Sequence, residues 1–231
     1  VASKYDNFVN EQIYIEDFRG TFLETGLELY NSADASVFHN IEISPSVWAE
    51  FDAAKYGFDA SPDAYAVAAY TSQHLTAFIL GDLEWSQWQN ISADSCLYGM
   101  KTVKGVRAAL SAIFYNLSLT NCRYGLTALD MDTRAGFSLA FTGGTVEGSE
   151  YAVKNDTLGK LSFVDTALRG SITGVGAPKT VTETYNLTLP DEAPKPAHTQ
   201  TARLTVIDAD KEAKADSAPA IQAALDTAGT S

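Results

Sequence analysis

A chain of 231 residues with 45% apolar and 11% aromatic side chains is long enough to bury a sizeable core, and its composition is not that of a disordered protein. A net charge of −13, with 10 Lys against 29 carboxylates, argues against general nucleic-acid binding, which needs clustered cations. No run of about 18 apolar residues occurs, so no helical membrane span is expected.

The charge is unevenly spread. Residues 1–90 carry 14 acidic and 3 basic side chains, whereas residues 91–180 carry 7 and 9. Such an acidic balance suits a solvated surface, and also a protein that works at high salt, where screening removes self-repulsion. A start at Val1 fits trimming of an initiator Met before a small residue, and equally cleavage of a precursor.

In chain order, residues 1–16 read as an N-terminal arm leading into a strand, and 18–30 as two short strands around a turn. Val37 to Ile43 is a strand. Ser44-Pro45-Ser46 marks a helix start, with Val47, Trp48, Phe51 and Ala54 on one stripe, and Ser61-Pro62-Asp63 opens a second short helix or a loop. Leu75 to Leu80 reads as a buried strand ended by Gly81-Asp82. The segment Glu84 to Trp88 reads as a strand with both tryptophans on one side. Val103 to Phe114 has helical spacing at Val106, Leu110, Ile113 and Phe114. Phe137 to Phe141 alternates as a strand before a Gly143-Gly144 turn, and Leu161 to Val164 and Ser171 to Val175 are shorter strands. Thr180 to Leu189 alternates strictly, Pro190 stops it, and Thr201 to Ile207 follows; residues 208–231 read as a C-terminal arm. About ten strands and two or three helices, with no visible repeat, predict a mainly β fold. The expected form is one domain over 1–231, a single jelly-roll barrel or sandwich with short helical insertions and extended termini.

Motifs for chemistry are few. His39, His74 and His198 have no ligand spacing, and neither a nucleophile elbow nor a phosphate loop is present, so no catalytic residue, metal or cofactor is expected. The pairs Asp82/Glu84 and Asp130/Asp132 have the residue types for glycoside hydrolysis or cation binding, and equally those of acidic surface turns. Trp85, Trp88 and Tyr98 are either a sugar-stacking platform or core. Cys96 and Cys122 either close a disulfide or form a reduced buried pair, since spacing does not fix connectivity. Asn90, Asn116, Asn155 and Asn186 head Asn-x-Ser/Thr sequons. Lys101, Lys104, Arg107 and Arg123 form a basic set suited to anionic lipid headgroups or an acidic neighbour.

In size, low-Lys acidic composition, trimmed start and β content the chain resembles the larger major capsid protein of icosahedral, internal-membrane haloarchaeal viruses. That resemblance implies a halophilic, upright single jelly-roll subunit that is not an enzyme. It implies homo-oligomeric capsomers, a second capsid protein, anionic membrane lipid beneath the shell, and a virion assembled in the host cytoplasm. A phage tail-tube subunit and an extracellular carbohydrate-binding or carbohydrate-active β-domain are the alternatives.

Overall fold

The computed structural model describes residues 10–33, 35–50, 52–53, 55, 57, 63–105, 110–131 and 138–176. All of them fall within one compact unit, residues 1–185. The expected strands at 180–189 and 201–207 and the C-terminal arm lie outside the described residues.

The described chain is mainly β. Thirteen strands run in the order β1 (Asn10–Glu11), β2 (Tyr14–Gly20), β3 (Thr25–Ala33), β4 (Val37–Ile43), β5 (Thr76–Asp94), β6 (Tyr98–Thr102), β7 (Leu110–Thr120), β8 (Tyr124–Ala128), β9 (Ser138–Glu147), β10 (Tyr151–Asn155), β11 (Lys160–Val164), β12 (Ala167–Arg169) and β13 (Ile172–Thr173). Two helices, α1 (Pro45–Ala49) and α2 (Ala64–His74), are inserted between β4 and β5.

Every ladder among the described residues is parallel. Successive partners along one ladder fall mostly 22–27 residues apart, as in Glu16 beside His39 or Trp88 beside Phe114. The sheet is therefore a curled parallel sheet wound as a solenoid, each coil resting on the one before. The jelly-roll expectation is corrected here, because a jelly roll is built from antiparallel neighbours.

The long strand β5 shows how the coils bend. Asp82 and Trp85 both take left-handed backbone, φ 55° and 58°. Before the bend β5 pairs with β3 and β6; after it, with β4 and β7. The expected stop at Gly81-Asp82 is thus a corner within one strand. Gly143-Gly144 is likewise a bend inside β9 (φ 71° and 82°) and not a turn between strands.

Inside the coils, register alignment stacks like on like. Ile15, Phe38, Trp88, Phe114, Phe141 and Phe163 occupy one column. Ring centroids from Phe38 to Phe163 follow at 4.0, 5.3, 4.9 and 4.8 Å. A second column holds Leu27, Phe78, Met100, Leu126, Val153 and Ile172. Burying a side chain of this size contributes about 1.5–3 kcal/mol each, so these columns are the main stabilising element. The helix expected over 103–114 is overturned for its described part. Leu110 to Thr120 is a strand, because Ala112 and Phe114 point inward at the period of two that matches their neighbours.

One corner carries a polar ladder. Asp17, Asn40, Asn90, Asn116, Gly143 and Asp165 stand in register, all with φ between 50° and 71°. Asn, Asp and Gly tolerate the left-handed region best. Each amide donates toward the preceding coil: Asn116 Nδ2 to Asn90 Oδ1 (3.1 Å), Asn90 to Asn40 (3.1 Å) and Asn40 to the Asp17 carboxylate (2.8 Å).

The two helices form as expected, though with different bounds. Ser44 caps α1 through its hydroxyl (Ser46 N–H to Ser44 Oγ, 3.2 Å) with Pro45 in the first turn, and Asp63 caps α2 (Tyr65 N–H to Asp63 Oδ1, 3.0 Å). Thr71 of α2 is tied to the coils, its hydroxyl donating to Ser95 O (2.7 Å) and its carbonyl accepting from Leu97 N (3.1 Å).

Candidate functional site

The most distinctive exposed surface lies over β6, β8 and β10. Tyr98, Tyr124 and Tyr151 begin these strands and stand in register, half-buried, with ring centroids 4.8 Å apart at both steps. The Lys101 ammonium sits 3.9 Å from the Tyr98 ring centroid, and the Arg123 guanidinium lies 5.5 Å from that of Tyr124. Lys101, Thr127 and Lys154 form the adjoining column. The Tyr151 hydroxyl and Thr127 Oγ1 are 2.9 Å apart.

Charge on this face is partly compensated. Lys154 pairs with Asp156 at 2.8 Å, and Arg123 with Glu150 at 3.5 Å. Asp156 holds the Lys154 ammonium above its usual range, while burial alone lowers Lys101 and burial first of all raises the Tyr151 phenol. Lys101 has no carboxylate partner among the described residues. The middle tyrosine has both ring faces covered by its neighbours, and Lys101 covers one face of Tyr98. The surface therefore offers phenol edges, hydroxyls and a cation. Such groups can meet an anionic or hydrogen-bonding partner.

Of the basic set, Lys101 and Arg123 reach this face from adjacent coils. Lys104 is exposed on the segment that follows β6, and Arg107 lies outside the described residues. Tyr124, Tyr151 and Lys154 escaped the sequence reading; their signal is recurrence of Tyr at the coil length.

The other candidates separate. Trp85 is 65% exposed and Trp88 fully buried. They are three residues apart, an odd interval that alternation sends to opposite sides, so no Trp85/Trp88/Tyr98 platform forms. Asp82 is buried (3% exposed) against Gly105, at the β5 corner, and does not form a surface carboxylate pair with Glu84. Asp130 is half-buried, and Asp132 lies outside the described residues. His39 Nδ1 lies 3.2 Å from Glu16, whose carboxylate also accepts from the Tyr14 hydroxyl at 2.6 Å; these two contacts, Tyr14 first, hold the Glu16 carboxyl below its usual range. His74 stacks on Tyr70, and His198 lies outside the described residues. Among the described residues no group of three or more metal-ligating side chains is present.

Three sequons are taken up by the fold. Asn90 and Asn116 are rungs of the corner ladder. Asn155 is fully buried, and its Nδ2 donates to both Gly159 O and Gly176 O at 2.8 Å, which uses both of its hydrogens. Asn186 lies outside the described residues.

Cys96 and Cys122 are buried free thiols in consecutive coils. A groove of about 420 Å³ lined by Ser72, Gln73, Asn121, Arg123 and Glu147 includes Cys122 in its wall.

No protein-family model matches this chain, and neither curated proteins nor solved structures yielded a match.

Proposed function

We propose that the chain is a structural subunit of a larger assembly, a stacked segment of the tail or fibre kind. The observation that carries this reading is the set of unbroken columns, aromatic, aliphatic and amide, running from coil to coil. Residues of such a solenoid are committed to the neighbour above and the neighbour below, which makes a stiff element whose outer faces are left for contact. The partners are copies of the same chain, and the tyrosine and lysine face is the surface offered to an anionic neighbour. A tile of a closed, membrane-lined viral shell is the alternative form. Composition supports it, as does the placement of Lys101 and Arg123 on one face, where lipid headgroups would meet them; the parallel winding does not favour it.

Negative-stain microscopy of the native protein, at low and high salt, separates the two. Elongated or fibrous particles are expected. Closed shells that dissociate as salt is removed would overturn the fibre reading in favour of the capsid one. A salt-indifferent monomer would overturn both.

A further inference from the structure

The two thiols occupy equivalent positions in successive coils. Cys96 stands two residues after Asp94 and Cys122 two after Thr120, and each Sγ donates to that residue's carbonyl at 3.4 Å. Backbone bonds lock the two positions side by side: Arg123 N–H donates to Cys96 O and Tyr124 N–H to Leu97 O, both at 2.9 Å. Adjacent parallel strands lie about 4.8 Å apart, inside the Cα separation of about 4.4–6.8 Å that a disulfide needs. The next coil places Gly148 over Cys122, since Ser149 N–H donates to Cys122 O, so the column holds these two sulfurs and no third. Cys96 is wholly enclosed and Cys122 is 2% exposed, on the wall of the groove beside Arg123. The groove therefore leads to one thiol, and only that thiol leads to the other.

We propose that Cys96 and Cys122 are a peroxide-closable clasp between consecutive coils, with Cys122 the attacking thiol and Cys96 the resolving one. In the first step the Cys122 thiolate attacks one oxygen of a small peroxide. The O–O bond breaks, Cys122 becomes a sulfenic acid, and the other oxygen leaves as water after taking a proton. In the second step Cys96 sulfur attacks the Cys122 sulfur. The S–O bond breaks, the S–S bond forms, and the hydroxyl leaves as a second water with the Cys96 proton. Two thiols and one hydrogen peroxide thus give one disulfide and two waters, a two-electron exchange with no further reactant. The Cys96 thiol is pushed up by its hydrogen bond to Cys122 and then by burial, which holds it protonated until the sulfenic acid forms beside it and fits the resolving role.

The test treats the full chain with hydrogen peroxide and follows free thiols and intact mass. Loss of both thiols with loss of two hydrogens, a Cys96–Cys122 linked peptide in a non-reducing digest, and reversal by dithiothreitol are expected. The urea midpoint of the oxidised protein should rise above that of the reduced one. In Cys96→Ser the reaction should stall at a Cys122 sulfenic acid trapped by dimedone; in Cys122→Ser, Cys96 should stay a thiol. Both thiols surviving in the wild-type chain would overturn the proposal, as would disulfides between molecules or Cys96 reacting in Cys122→Ser. The wild-type digest decides the matter even where a variant fails to fold.

Discussion

Replacing Asn90 tests the corner ladder at its centre. Its amide donates to Asn40 and its carbonyl oxygen accepts from Asn116, and its backbone sits at φ 54°. Alanine removes both side-chain bonds, worth about 0.5 kcal/mol each at this exposed corner, the low end for a net hydrogen bond. It also keeps a β-carbon in the left-handed region while losing the polar side chain that lets asparagine tolerate it there, at about 1–2 kcal/mol. The sum is about 2–3 kcal/mol of lost stability. Glycine loses the same bonds without the steric term, and Gly143 already holds the equivalent place one coil beyond Asn116. Asn90→Gly should therefore lose only about 1–2 kcal/mol, including the extra freedom glycine brings to the unfolded chain. Urea unfolding, with midpoints compared at unchanged slope, measures both variants. An alanine variant as stable as the glycine one would refute the left-handed corner, and with it the alignment of Asp17, Asn40, Asn90 and Asn116.

Phe114→Ala removes a fully buried ring stacked on both Trp88 and Phe141, and should cost about 3–5 kcal/mol by the same urea measurement. Asn155→Ala should cost about 2–4 kcal/mol, since a buried and a half-buried glycine carbonyl lose their donor, and mass spectrometry of the protein from a glycosylating host should find Asn155 unmodified. Tyr14→Phe should raise the Glu16 carboxyl toward its ordinary value in an NMR titration. Because that group is depressed in the folded state, the stability it lends is present above its unfolded pKa and is lost as pH falls through the lower folded value; an unmoved Glu16 would exclude the Tyr14 bond.

Single elements were legible where local chemistry decides them. Val37–Ile43 is the strand its alternation predicts, and Ser44-Pro45 caps a helix as its residue types require. Phe114 was misread because Val106, Leu110, Ile113 and Phe114 also fit a helical period, and only Trp88 and Phe141 on either side decide for the strand. The winding itself was hidden. Glu16 meets His39, but Phe38 meets Trp88 across the inserted helices, so no fixed period survives to be read. Equivalent positions repeat their residues only over short runs, as in Asn40, Asn90 and Asn116, while Ile15, Phe38, Trp88 and Phe114 share a column through size and apolarity alone. Trp85 and Trp88, three residues apart, fall on opposite sides of the strand, and Tyr124 and Tyr151 are informative only once the coil length is known.

Consecutive coils run parallel and in register. Cross-strand nuclear Overhauser contacts test this most directly. Contacts are expected between the side-chain amides of Asn40, Asn90 and Asn116 and between the rings of Trp88, Phe114 and Phe141, with each residue meeting its column neighbours. Short Hα–Hα contacts between β5 and β7, the mark of antiparallel pairing, would contradict it.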